Sequence, residues 1–284
     1  MTIKNLPLLA KTVVDGFMTG LNKSNIKGPG LEFSQYRSYQ PGDDLRWLDW
    51  RMYARSDRYY IRESETETSI SVRFLIDASL SMNHDDNGIK KIEYARFLAA
   101  SLAYLANLHG DAVGLYVFQN DHLFSLASKS DPQHLQRLFY QLSVIEPDGK
   151  FTQPIHYKEL FAGQGKKELL ILITDMYQQE SEIYRLLDSL TAVKHEVLVF
   201  QLMGQNELEL NYKGYAALED LESGNTVLID PDTIKSAYLE KLGNYLSDIR
   251  LQLLSKHIFH KMISTAEPLD EALRAFLTQR NKRY

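Results

Sequence analysis

Residues 72–82 read Val72-Arg73-Phe74-Leu75-Ile76-Asp77-Ala78-Ser79-Leu80-Ser81-Met82. An apolar run broken only by Arg73 ends in a carboxylate, and two hydroxyls follow at alternate positions. A strand that is apolar at successive residues is covered on both faces, the condition of a parallel sheet held between helices. The sequence after it keeps this pattern. Residues 88–108 form a predicted helix with Ile92, Ala95, Leu98, Ala99, Leu102 and Leu105 on one stripe. Residues 112–118 and 122–126 are predicted strands joined by the turn Gln119-Asn120-Asp121, and 132–142 is a predicted helix. Buried strands at 168–173 and 196–202 flank a helix at 180–192, and a short late strand follows at 226–229. Residues 231–254 and 268–279 close the chain as helices, each with Pro at its start. The fold class this predicts is α/β, with a mainly parallel central sheet and helices on both faces, of Rossmann type.

The chain has 284 residues, 44% of them hydrophobic, a formal net charge of −5 and no cysteine. A domain takes about 100–200 residues, so the length suits one large domain or a domain with an accessory piece. The absence of Cys excludes disulfides, zinc–thiolate sites, iron–sulfur clusters and cysteine nucleophiles. Slight acidity provides no global basic field for nucleic acid. Residues 1–21 lack the basic patch, unbroken apolar run and small-residue cleavage site of a signal peptide. The longest apolar stretch, 97–108, is interrupted by Ser101 and Asn107 and falls short of the roughly 18–20 residues of a membrane span. The expected location is cytoplasmic.

Ahead of the α/β alternation the texture differs. Leu6, Leu9, Ala10, Val13, Val14 and Phe17 have helical spacing, and Gly28-Pro29-Gly30 breaks the chain after them. Residues 33–67 are rich in Arg, Tyr and Trp, with a turn at Pro41-Gly42-Asp43-Asp44 and strand-like alternation over 59–67. The expected organisation is an N-terminal helix with an Arg/Trp-rich β elaboration at 1–69, the α/β domain at 70–255, and a helical extension packed on it at 256–284. The mixture of Arg46, Trp47, Trp50, Arg51, Tyr53, Arg55, Arg58, Tyr59 and Arg62 suits either internal Arg–carboxylate pairing or a protein interface, because Asp43, Asp44, Asp49, Asp57, Glu63, Glu65 and Glu67 offset its charge.

Ligands of open α/β sheets bind at the carboxyl ends of strands. Asp77, Ser79 and Ser81 leave a strand at alternate positions and so point the same way. Asp175 ends the later apolar strand, and Thr152 follows Gly149-Lys150-Phe151 in the loop between them. These five supply hard oxygen ligands with few carboxylates. Such a set leaves room for water and an open position, which favours Mg²⁺ or Mn²⁺ over a caged Ca²⁺. An incompletely coordinated ion can accept a carboxylate from a partner protein. The bland alternative is that Asp77 and the serines only cap the following helix. The neighbouring run Met82-Asn83-His84-Asp85-Asp86-Asn87-Gly88 lacks EF-hand spacing and is expected to be a solvated loop.

The set resembles the metal-ion-dependent adhesion site of von Willebrand factor A-type domains, in which Asp-x-Ser-x-Ser is joined by a loop Thr and a later Asp. The stretch from Arg37 through Pro41-Gly42-Asp43-Asp44, Arg46, Asp49 and Trp50 to Ala54-Arg55 is similar to the signature of the bacterial domain-of-unknown-function-58 family. Glu267-Pro268-Leu269-Asp270 and 273–280 resemble that family's C-terminal end. The resemblance implies a von Willebrand A-like domain, a metal at Asp77, Ser79, Ser81, Thr152 and Asp175, and a MoxR-type AAA+ ATPase as partner. Two positions depart from the A-type pattern. Lys150-Phe151-Thr152 stands where Gly-Gly-Thr is usual, and Asp175-Met176 where Asp-Gly is usual.

Enzyme templates do not match. Gly163-Gln164-Gly165-Lys166-Lys167 lacks P-loop spacing, there is no Gly-x-Ser-x-Gly elbow, and His195-Glu196 has no second zinc-protease His. Asp77 resembles a phosphatase nucleophile, but Ser79 stands where a partner acid would be needed. The expected function is a non-enzymatic, metal-dependent interaction module. The alternatives are an Mg²⁺-dependent phosphoesterase using the same strand end, or a vestigial site with residues 37–62 as the true interface.

Overall fold

The computed structural model describes residues 5–23, 35–40, 48–63, 69–120, 122–151, 167–178, 180–192, 195–212 and 214–281. The chain divides into two compact units, one of residues 1–15 with 69–284 and the other of residues 16–68. Helix α1 (Leu6–Lys23) begins in the first unit and ends in the second, with Leu6, Ala10, Val14 and Phe17 as its buried stripe.

In the smaller unit, β1 (Gln35–Ser38) pairs antiparallel with β2 (Tyr60–Glu63). Helix α2 (Trp50–Ser56) lies between them in sequence. Asp49 starts this helix by accepting hydrogen bonds from the backbone N–H of Arg51 at 2.9 Å and Met52 at 3.0 Å. Tyr53 and Tyr59 stack with ring centroids 4.5 Å apart. The expected β elaboration is therefore a strand pair with an intervening helix. Arg46 and Trp47, on which part of the sequence reading rests, lie outside the described residues.

The larger unit is built on a six-stranded sheet of β3 (Ser71–Asp77), β6 (Ala112–Gln119), β7 (His122–Lys129), β8 (Leu169–Thr174), β9 (Glu196–Met203) and β12 (Phe259–Ser264). The spatial order is β12-β9-β8-β3-β6-β7, and every pairing is parallel except β6 with β7. The expected α/β class and mainly parallel sheet are what the chain adopts. On one face α5 (Glu180–Ala192) and α7 (Pro231–Ser255) bury Ile183, Leu187, Ile249 and Leu253 against Leu75, Leu170, Leu172 and Val199. The alternate residues Phe74, Ile76, Ile171 and Leu198 point the other way and are also wholly buried. Helix α3 (Lys91–Leu108) lies against β3, β6 and β9, with α4 (Pro132–Ser143) and α8 (Asp270–Asn281) beside it. No described helix is long and apolar enough to cross a membrane.

Three local expectations change. Residues 259–264, expected within a helical extension, are edge strand β12, in register with β9. His260 and Lys261 break its apolar pattern, which an edge strand tolerates because only part of its surface is covered. The strand expected at 226–229 forms as β11 (Thr226–Ile229), but it pairs with β10 (Ala216–Glu219) in a separate hairpin. The helix expected from residue 88 begins at Lys91, because β4 (Asp85–Asp86) and β5 (Ile89–Lys90) form a hairpin around Asn87 and Gly88. Both turn residues have positive φ, 55° and 80°, the two-residue turn that Asn-Gly favours.

Candidate metal centre

The strand order reverses at β3. The chain runs outward from it to β6 and β7, then returns to its other side through β8. In an open α/β sheet the crevice at that reversal is the ligand position. Asp77 ends β3 and Asp175 follows β8, so the two carboxylates stand on either side of this crevice.

Beyond Asp77 the chain enters a single 3₁₀ turn, Leu80–Asn83. Ser79 precedes it but makes no side-chain capping bond, and Lys90, which precedes α3, makes none either. Helix capping therefore does not account for these side chains. Asp77 is wholly buried, and its Oδ1 accepts from Ser79 N at 3.0 Å and Ser79 Oγ at 2.7 Å. Its Oδ2 accepts from Thr174 Oγ1 at 2.6 Å and from Gln178 Nε2. The hydroxyls of Ser79 and Ser81 lie 3.0 Å apart. Oxygen spacings of this size match the edges of an octahedron whose metal–oxygen bonds are about 2.0–2.1 Å long, as for Mg²⁺. The run Asp77, Ser79 and Ser81 supplies one carboxylate and two hydroxyls, the hard-oxygen groups such a cation takes.

Asp175, the other carboxylate expected at the metal, is buried beside Lys91. Its Oδ2 accepts from Lys91 Nζ at 3.1 Å, and its Oδ1 from Tyr177 N at 3.2 Å and Gln178 Nε2 at 3.5 Å. It reaches Asp77 through the Gln178 amide. Met176 adopts φ 63°, the left-handed conformation that the usual Gly would supply, so the departure at this position preserves the turn. Thr174 Oγ1 accepts from Met176 N at 3.1 Å, and Met176 O accepts from the Tyr245 hydroxyl.

The loop leading to Thr152 is clasped to the same strand end. Leu80 N donates to Gly149 O at 2.9 Å, and Asp148 N to Ala78 O at 2.9 Å. Gly149 has φ 61°, and a Cβ there would lie 2.6 Å from the Asn120 side chain. Phe151 is buried, its ring 5.4 Å from that of Phe118. Thr152 lies outside the described residues.

Sequence reasoning did not assign roles to Lys91, Thr174, Gln178 and Glu207. Lys91 is 1% exposed and bonds Asp175 as above and Glu207 Oε1 at 2.8 Å. Burial pulls its ammonium down, and Asp175 and Glu207 more than offset this, so it is held above the ordinary lysine range. Burial, then the neighbouring Asp175 charge, pushes the Asp77 carboxyl up, against the hydrogen bonds from Thr174 and Ser79. The available signal for Lys91 was a cation opening a helix that is apolar over most of its length. Among the described residues no three His, Asp or Glu groups close on one point.

The loop expected to be solvated has a structural task. Asp86 is buried and its Oδ2 accepts from Gln205 N at 2.5 Å and Asn206 N at 3.4 Å, at the start of α6 (Gln205–Glu209). This helix carries Glu207 to Lys91.

A mainly parallel sheet whose strand order reverses at β3, covered by helices on both faces, defines an open-sheet α/β protein. Residues 35–243 match the family described as protein of unknown function DUF58, and the chain belongs to that family. An uncharacterized protein of Mycobacterium tuberculosis (strain ATCC 25618 / H37Rv) is 24% identical over 225 residues, 78% of this chain and 70% of the relative. An uncharacterized protein of Mycobacterium bovis matches to the same extent. Among solved structures the chain is similar to the conserved hypothetical protein BatB from Bacteroides thetaiotaomicron, at 17% identity and TM-score 0.49, over 75% of this chain and 98% of that one. It is also similar to the SpRpn10 VWA domain, at 10% identity and TM-score 0.42, over 73% and 95% of the two chains.

Proposed function

We propose that this chain is a non-enzymatic, metal-dependent protein-binding module of von Willebrand A-like type. The carrying observation is the convergence of Asp77, Ser79 and Ser81 oxygens, 2.7 and 3.0 Å apart in sequence order, at the sheet's reversal point. In this reading Asp77, Ser79 and Ser81 hold Mg²⁺ (or Mn²⁺), Asp175 supports the site's charge through Gln178, and Thr152 adds a hydroxyl from its loop. When bound, the ion supplies a coordination position open to a carboxylate of another protein. Lys91 balances the charge of Asp175 and Glu207, which keeps the demand for positive charge focused on Asp77. The family resemblance supports a MoxR-type AAA+ ATPase as the partner offering that carboxylate, in chaperone-like maturation or stress tolerance within the cytoplasm.

The test is affinity capture of the MoxR-type ATPase by the full chain in Mg²⁺, in chelator, and with Asp77→Ala. Capture in Mg²⁺ alone by the wild type supports the reading. Equal capture in all three arms contradicts the metal dependence.

A further inference from the structure

Helix α2 carries an exposed aromatic and basic surface in the smaller unit. The helix buries none of its seven residues, although one so short is marginal unless it packs on something. Trp50 is 62% exposed and Tyr59 47%. The rings form a row: Tyr39 meets Tyr59 edge-on at 6.2 Å, Tyr59 stacks on Tyr53 at 4.5 Å, and Tyr53 meets Trp50 edge-on at 6.3 Å. Arg51 and Arg55 lie one turn apart on α2, Arg58 precedes Tyr59, and all three are exposed. Among the described residues no carboxylate pairs with any of them.

Internal Arg–carboxylate pairing, one of the two roles the sequence leaves open, therefore does not describe these three. Nor does helix stability call for Arg51, which stands in the first turn, where the helix dipole disfavours a cation. Asp49 is engaged by the helix cap, which leaves Asp57 as the only exposed acid of residues 48–60. Every cation of residues 48–63 is Arg, the residue whose planar fork grips a carboxylate with two hydrogen bonds. Trp, Tyr and Arg are also the residues that carry most of the binding energy at protein interfaces. Rings already packed on one another offer contact area at little cost in side-chain entropy. The row does not suit bases: Tyr53 and Tyr59 close on each other at 4.5 Å, too near to admit one between them.

We propose that α2 and the Trp50–Tyr53–Tyr59 row form a docking surface for an acidic, amphipathic segment of another protein. Carboxylates of that segment pair with Arg51 and Arg55, and an apolar side chain packs on Trp50. This surface owes nothing to the cation reading and stands or falls separately from it.

The test uses the full chain in chelator, so that no metal-held carboxylate contributes. A dye-labelled synthetic peptide of alternating Glu and Leu pairs is titrated at low salt and followed by fluorescence anisotropy, with labelled oligothymidylate as the nucleic-acid probe. The chain has two tryptophans, Trp47 and Trp50, so a Trp47→Phe background lets Trp50 emission report contact at the helix. The expected result is peptide binding that shifts Trp50 emission and weakens as salt rises. Arg51→Glu with Arg55→Glu is expected to weaken it roughly tenfold, and Trp50→Ala by a similar factor. Thermal unfolding checks that these variants fold as the wild type does. Equal affinity in the wild type and the charge-reversed variant overturns the proposal, as does the absence of peptide binding at millimolar concentration. Oligothymidylate bound more tightly than the peptide overturns it in favour of a nucleic-acid site. Self-association of the wild type in sedimentation, abolished by Arg51→Glu with Arg55→Glu and unaccompanied by peptide binding, overturns it in favour of a second copy.

Discussion

Lys91 and Asp175 form an ion pair closed to solvent, Nζ to Oδ2 at 3.1 Å, with side-chain exposures of 1% and 0%. Glu207 is the second partner of the same ammonium at 2.8 Å. A buried pair gains little over a well-packed apolar substitute, but removing one member leaves the other charged and unpaired. The pair ties the first turn of α3 to the end of β8, and so fixes the width of the crevice in which Asp77 stands.

Replacing the cation alone exposes that dependence. Lys91→Met is expected to lower folding stability by about 3–5 kcal/mol, and added Mg²⁺ is expected to recover part of the loss by supplying positive charge beside Asp175. Denaturant unfolding with and without Mg²⁺ measures both. Wild-type stability in the variant would show that the pair is incidental.

Asp77 sets a pH dependence whose sign can be worked out. Its carboxyl is pushed up to about 7 by burial and by Asp175, against about 3.9 in the unfolded chain. Between these values the folded state holds more protons, so in chelator this group's contribution to stability is fully present below the unfolded value and is lost as pH rises towards 7. Mg²⁺ favours the ionised form and cancels the loss. Thermal unfolding of wild type and Asp77→Asn at pH 5 and pH 8 isolates the effect: the wild type should lose more stability than the variant on going to pH 8 in chelator. An equal loss in both contradicts the assignment.

Gly149 tests the clasp between the loop and β3. Its φ of 61° and the 2.6 Å approach to Asn120 leave no room for a Cβ. Gly149→Ala is expected to cost about 1–3 kcal/mol and to weaken Mg²⁺ binding, because Leu80 N and Asp148 N lose their alignment. Urea unfolding and a Mg²⁺ titration read the two effects, and a neutral substitution would mean that the loop's path does not shape the site.

Asp86 tests whether α6 holds Glu207 in place. Asp86→Ala removes the acceptor for Gln205 N and Asn206 N and is expected to cost about 1 kcal/mol. Combined with Lys91→Met, the two losses should sum to less than their separate values, since both act through Glu207. Strict additivity in a double-mutant cycle would separate the two sites.

The strand ending in Asp77 declared itself because both faces of β3 are covered, so an unbroken apolar run survives in the sequence. The expectation that Asp77, Ser79 and Ser81 share one side rested on the two-residue period of extended chain, which ends at Ser79, because Ser81 lies in the 3₁₀ turn. Gln178 was hidden because it meets Asp77 across 101 residues, and Lys91 because it meets Asp175 across 84. Such pairings follow from strand order, which local periodicity does not reveal. Edge strand β12 was obscured by His260 and Lys261. Asp175-Met176 departs from the usual Asp-Gly, yet Met176 takes the left-handed backbone conformation a Gly would take.

The central claim is that Asp77, Ser79 and Ser81 bind a divalent cation. Calorimetric titration of Mg²⁺ into the full chain and into Asp77→Ala tests it most directly. Binding by the wild type that Asp77→Ala abolishes is the predicted result. Equal binding by both, or none by the wild type at millimolar Mg²⁺, would contradict it.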